Sequence, residues 1–181
     1  MAMVVKHGFD GLSMHKLARA AGVSPATVYI YFRDREDLIL KIYEEVSTDM
    51  FEATLKGFDP EMDFEEGLRI QWLNRARYML KKPTETHFME QIRFSPLHGR
   101  AIAITGGKFR DQMKAFVYNA IKRKQLVSVP LEVYWSIAFA PLYQLAKFHI
   151  HGKNMSGGKK FKLNDRTLEL TLQLVLKALK P

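Results

Sequence analysis

The sequence predicts an all-α protein, with a small helix-turn-helix unit over residues 1–57 and a larger helical domain over 58–181. Three observations carry this. Apolar residues recur at helical spacing in every long segment, no segment alternates with the period of a strand, and glycines and prolines fall between the segments. With 181 residues, 47% of them hydrophobic, the chain can build a full core, which excludes disorder as its main state.

The elements follow in order. Only MAMVVKH precedes Gly8, enough for about two turns of a truncated first helix. Ser13 is placed to cap a helix over Met14–Ala21, and Gly22 to stop it. Ser24-Pro25 opens the next helix, because serine caps orphan amides and proline is preset for a first turn. That helix runs to about Phe32, and Leu17, Val23, Val28, Phe32 and Leu38 form the expected small core. Asp34 then precedes a long helix with acids in its first turn and Leu38, Ile42, Val46 and Met50 on one side, fading near Gly57. Phe58-Asp59-Pro60 reads as a linker. Further helices are expected at about 62–82, 84–94, 97–125, 130–151 and 165–180. Pro83, Pro96, Pro130 and the stretch GKNMSGGKKFKLND separate them, Gly106-Gly107 is expected to weaken or break the helix over 97–125, and Pro141 to kink the one after it.

Composition removes several function classes. The absence of cysteine excludes disulfide scaffolds, thiolate metal sites and thiol nucleophiles, and suits a reducing compartment. No secretory signal is read at the start, and the most apolar stretch, VYWSIAFAPLYQLA, is too short for a bilayer, so a cytoplasmic protein with no membrane partner is expected. No HExxH, GxSxG, Walker loop or dinucleotide fingerprint occurs. His149 and His151 point to different helix faces, and His87 with Glu90 makes two ligands rather than a site. No catalytic residue, metal or cofactor is expected.

Net charge is +9, but its position matters more than its sum. Residues 1–35 hold five bases (Lys6, Lys16, Arg19, Arg33, Arg35) against Asp10 and Asp34, while residues 147–181 hold eight bases against Asp165 and Glu169. The informative feature is instead the outward face of the second motif helix: Ala26, Thr27, Tyr29, Ile30 and Tyr31, with Arg35 beyond it. A helix-turn-helix places such a helix in a major groove, where hydroxyls reach phosphates and base edges. The same spacing is open to a three-helix packing unit with no DNA role.

The stretch GFDGLSMHKLARAAGVSPATVYIYFRDREDLI closely resembles the DNA-binding signature of the TetR family of transcriptional repressors. The resemblance implies an all-helical homodimer that binds a palindromic double-stranded operator and is released by a small, largely apolar effector held in its larger domain. By motif position it implies that Ser13 caps its helix against a phosphate, that Thr27 and Tyr29 lie at the groove, and that Tyr31 and Arg35 contact phosphates. Ser24 as the cap of the second helix and Ala26 as a small residue that lets its N-terminus approach a phosphate complete the candidate DNA-facing set. Two departures stand out: Ile30 occupies a position usually polar, and the first helix is shorter than the family's.

In the second domain the candidate effector-lining residues are Trp72, Tyr78, Met79, Phe88, Gln91, Met113, Phe116, Trp135, Phe139 and Tyr143, aromatic and methionine side chains of the type that line adaptable pockets. Ordinary core is the alternative for each. The last two helices are apolar over a wide arc, with Tyr134, Ile137, Ala138, Leu142 and Leu145 on one and Leu168, Leu172, Val175, Leu176 and Leu179 on the other. A four-helix dimer interface would cover them. Two functional readings remain: a ligand-responsive repressor, and a dimeric small-molecule-binding protein that has lost DNA binding with its first helix.

Overall fold

The computed structural model describes residues 1–105, 107–152 and 160–181; Gly106 and residues 153–159 of the glycine- and lysine-rich stretch lie outside the described residues. Among the described residues every regular element is an α-helix: α1 (Ala2–His7), α2 (Met14–Ala21), α3 (Pro25–Tyr31), α4 (Arg35–Leu55), α5 (Phe64–Lys81), α6 (Pro83–Arg93), α7 (His98–Thr105), α8 (Gly107–Lys122), α9 (Leu131–His151) and α10 (Asp165–Leu179). Over 97–125, where Gly106-Gly107 is expected to weaken or break the helix, α7 ends at Thr105 and α8 begins at Gly107, with Gly106 itself outside the described residues. α9 is assigned as one helix through Pro141.

Two compact units result. The first comprises Met1–Asp49 and Lys82–Gly106, the second Met50–Lys81 and Gly107–Pro181. A division at residue 57 puts α6 and α7 with the later helices, yet they pack in the first unit. The reason is visible in its core, where Phe88, Ile92, Leu97 and Ala101 join Val4, Leu12, Met14, Ala18, Val28, Leu38, Ile39 and Tyr43. Short as α1 is, Val4 is fully buried, and Gln91 Nε2 donates to the Val5 carbonyl at 3.4 Å. Discontinuous units of this kind are hard to read from sequence, because linkers mark breaks in helices rather than changes of core.

The second unit packs α5 against α9 and α10, and α9 against α10. Phe64, Leu68, Trp72, Phe116, Tyr134, Phe139, Leu142 and Leu172 are each at most 1% exposed there. Each such burial removes a large apolar side chain from water, worth roughly 1.5–3 kcal/mol before entropy is set against it. Local chemistry fixes the helix ends. Asn164 Oδ1 accepts from the Thr167 amide at 2.9 Å to start α10, and Gly152 closes α9 at φ +61°. No described helix is long and apolar enough to cross a membrane.

Candidate functional site

The helix-turn-helix is built by its caps. Ser13 Oγ accepts from the Lys16 amide at 3.2 Å and begins α2. At its other end Gly22 sits at φ +68°, ψ +27°, and the Val23 and Gly22 amides return to the carbonyls of Ala18 (3.0 Å) and Arg19 (3.3 Å). This paired closure needs a left-handed residue, which glycine adopts without strain. Ser24 Oγ then accepts from the Thr27 amide at 3.1 Å and bonds the Thr27 hydroxyl at 2.8 Å, so α3 starts two residues after α2 has closed. Asp34 Oδ1 accepts from the Asp37 amide at 2.8 Å and Asp37 Oδ2 from the Arg33 amide at 3.1 Å, two bonds that together set the start of α4. The backbone bond from Arg33, ahead of the other contributions, holds the Asp37 carboxyl below its ordinary value.

These constraints decide which side chains α3 presents. Val28 faces the core, while Tyr29 is 50% exposed, Ile30 78% and Tyr31 67%. Ala26, Tyr29 and Ile30 follow the i, i+3, i+4 spacing of a single helix face, with Thr27 and Tyr31 along its edge. Val23, expected in the small core, is instead 42% exposed because the tight turn lifts it away from the helices. Arg35 is engaged: its Nη1 donates to the Phe9 carbonyl at 3.1 Å and lies 3.7 Å from Asp10 Oδ1. A guanidinium carries five donors, so this anchoring leaves others for an anion. Lys41 Nζ caps the end of α3 through the Tyr31 carbonyl at 2.9 Å.

The expected effector-lining residues divide between the units. Phe88, fully buried, and Gln91 lie in the first unit, while Trp72, Tyr78, Met79, Met113, Phe116, Trp135, Phe139 and Tyr143 lie in the second. Trp72 and Phe116 are core. The structure brings Met113, Trp135, Phe139 and Tyr143 together around a residue that the sequence pattern does not single out, Arg75 on α5. Its guanidinium carbon is 3.9 Å from the ring centre of Phe139, 5.3 Å from Trp135 and 5.8 Å from Phe109. Nη1 donates to the Gln71 carbonyl and to Gln71 Oε1 at 3.3 and 3.1 Å, and Nη2 lies 4.0 Å from Met113 Sδ. The only sequence signal is an arginine and a glutamine one turn apart on a face otherwise made of apolar residues.

Eight of the ten expected dimer-interface residues are consumed by the second unit's own core: Tyr134, Ala138, Leu142, Leu168, Leu172, Val175, Leu176 and Leu179. Ile137 and Leu145 are half-buried against it. The large apolar side chains that α9 and α10 expose are others, Val133 at 42%, Leu170 at 61% and Leu174 at 60%. Among the described residues no group of three or more histidines and acids is arranged to hold a metal.

Residues 1–42 match the family model described as bacterial regulatory proteins, tetR family. An uncharacterized HTH-type transcriptional regulator of Haemophilus influenzae is 34% identical over 95 residues, 52% of this chain and 50% of that protein. The fatty acid metabolism regulator protein of Bacillus subtilis is 30% identical over 43 residues, 24% of this chain. The chain thus spans half the length of the first of these curated relatives and 22% of the second. Among solved structures, a TetR family transcription regulator from Marinobacter aquaeolei VT8 superposes with a TM-score of 0.77 at 28% identity, covering 98% of this chain and 90% of that one. A TetR-family regulator from Haemophilus influenzae shares the fold at TM-score 0.79 and 22% identity, over 99% of this chain and 91% of that one. By its N-terminal segment the chain is similar to the tetR family of bacterial regulatory proteins, and its fold is the one these TetR-family structures share.

Proposed function

We propose that the protein is a ligand-responsive transcriptional repressor of the cytoplasm, acting as a homodimer on a palindromic operator and released by a small, largely apolar molecule held in the second unit. The observation that carries this reading is the exposed face of α3. A seven-residue helix held by caps at both ends and by one buried side chain, Val28, places Tyr29, Ile30 and Tyr31 in water. Nothing in the unit's own packing requires these three apolar bodies outside, and a major groove offers them thymine methyls, base edges and phosphates. Thr27 is held by Ser24 and serves to fix the helix start more than to reach DNA. Arg35 and Tyr31 flank this face as phosphate contacts.

A dimer supplies the second half-site, at about 34–36 Å from the first for one turn of duplex. Leu170 and Leu174, one turn apart on α10 and both well exposed, are the side chains we assign to the interface. The other reading, a small-molecule-binding protein without DNA affinity, draws support from Arg35, whose guanidinium is already tied to Phe9 and Asp10. Gel-shift of the 181-residue protein with DNA flanking its own gene separates the two. A shift that weakens as salt rises supports the repressor; no shift from a folded dimer, with ligand binding intact, selects the alternative. Sedimentation of Leu174→Glu is expected to show monomers, and an undisturbed dimer would move the interface elsewhere.

A further inference from the structure

Arg75 is a charge taken out of water without a counter-charge. It is 5% exposed, and none of its contacts among the described residues is a carboxylate. Gly106 and residues 153–159 contain no aspartate or glutamate, so they supply none either. Tyr134 does not serve as an anion: burial raises its hydroxyl well above the usual phenol value, which keeps it neutral. Burial also weakens the hold of Arg75 on its own proton, against the favourable influence of the Tyr143 and Tyr134 hydroxyls. An isolated buried cation is costly, and three aromatic faces, two carbonyl-type acceptors and a hydrogen bond to the Tyr143 hydroxyl, all neutral groups, offset only part of that cost.

The polar atoms around it are unbalanced in one direction. Gln71 Nε2 and Tyr134 Oη are buried with no hydrogen-bond partner, on residues that are 0% exposed, and both can donate. A buried donor left unpaired is itself unfavourable. One guanidinium, one amide and one hydroxyl therefore face an environment short of acceptors. The group that would correct both deficits is an anion carrying a single charge, because a dianion would leave net negative charge among aromatic rings. The flat guanidinium fork matches the two oxygens of a carboxylate better than it matches a spherical ion. The surroundings state the rest of the ligand: Phe109, Trp135 and Phe139 present ring faces, and Met113 an adaptable thioether.

We infer that Arg75, Gln71 and Tyr134 form an anion-recognition site that takes the carboxylate of an apolar monocarboxylic acid, with the rings of Phe109, Trp135 and Phe139 against its hydrocarbon part. This names the effector class of the site assigned above to a small apolar molecule, and as a regulatory site it rests on that reading. Binding selects for the charged head through Arg75, and the rings supply affinity without choosing among chain shapes.

Octanoate and octan-1-ol, equal in length and differing in charge, are the probes. Binding to the full chain at neutral pH is read by calorimetry and by tryptophan fluorescence, since Trp135 stands beside Arg75. Octanoate is expected to bind about ten-fold or more tighter than octan-1-ol, about 1.4 kcal/mol per factor of ten. Arg75→Met is expected to remove that preference while octan-1-ol still binds and unfolding stays cooperative. Should Arg75→Met fail to fold, Arg75→Lys keeps the charge without the fork, and about a ten-fold loss of octanoate with unchanged octan-1-ol is expected. Equal binding of the two probes to the wild type, or no binding of either, overturns the site. Octan-1-ol that binds equally well and releases DNA overturns it while leaving ligand response standing; octanoate that binds through Arg75 without changing DNA affinity leaves the anion site and removes ligand response.

Discussion

Gly67 lies on α5 where the ring of Phe116 closes against the helix. A β-carbon placed there meets Phe116 Cε2 at 2.5 Å and Cζ at 2.8 Å, and Phe58 Cε2 at 3.3 Å. Ordinary contact begins near 3.4 Å, so Gly67→Ala asks the ring edge to retreat by about 0.9 Å, the difference between 3.4 and 2.5 Å. The ring is poorly placed to do so. Phe116 is 1% exposed, packs edge-on against Phe58 at 5.1 Å between centres and stacks on Phe64 at 5.8 Å. Overpacking of this kind costs about 1–3 kcal/mol. Against it stands the gain of alanine over glycine in a helix, about 1 kcal/mol. The clash outweighs that gain, and the expected outcome is a net loss of up to about 2 kcal/mol, with about 2–4 °C of melting temperature for each kcal/mol at this chain length. Urea unfolding followed by circular dichroism measures it as a lower midpoint at unchanged slope. Combining Gly67→Ala with Phe116→Leu should cost less than the two changes separately. A Gly67→Ala protein that unfolds at or above the wild-type midpoint would refute the close packing described for α5.

Three further outcomes are expected. Ser24→Ala removes the cap of α3 and the partner of Thr27, so stability should fall by about 1 kcal/mol in denaturant melts, and DNA affinity with it, since a frayed start displaces Tyr29. Lys124 is a non-glycine residue at φ +57° closing the end of α8, where the Gln125 and Lys124 amides return to the Ala120 and Ile121 carbonyls; Lys124→Gly should raise the thermal midpoint by the strain released, of the order of 1 kcal/mol. The Glu169 carboxyl is held below its ordinary 4.5 by Arg69 first and Gln173 second, so its contribution is present above that value and is lost as the pH falls through the lowered one; Glu169→Gln should therefore flatten the stability profile on the acid side of 4.5, measured by melting at a series of acid pH values, and high salt should shrink the difference because the pair is part-exposed.

Much of the fold is legible in the sequence because its signals are local. Ser13, Gly22, Ser24-Pro25 and Asp34 mark helix ends through bonds that span three or four residues, and the structure begins and ends α2, α3 and α4 within a residue or two of the positions they indicate. Periodicity finds the helices but not their partners. Phe88 and Ile92 carry the same apolar stripe whether they cover Val4 or Trp72, and only the folded chain shows that they join the first unit. For the same reason the apolar arcs of α9 and α10 read as a dimer surface when most of those side chains fill their own unit. The face of α3 is legible residue by residue, apart from Val23 and the anchoring of Arg35. Arg75 is not, because an arginine in a helix reads as a solvated residue unless the rings that enclose it, brought from α8 and α9, are already in place.

Whether the α3 face reads DNA decides most directly what this protein does. Fluorescence anisotropy of a labelled duplex from the region flanking the gene, against an unrelated duplex and across a salt series, measures this for the wild type and for Tyr29→Ala. The expected result is tighter, salt-sensitive binding to the flanking duplex, with Tyr29→Ala weakening it by about 1–3 kcal/mol at an unchanged melting temperature. Equal affinity for both duplexes, or a Tyr29→Ala protein that binds as the wild type does, would contradict it.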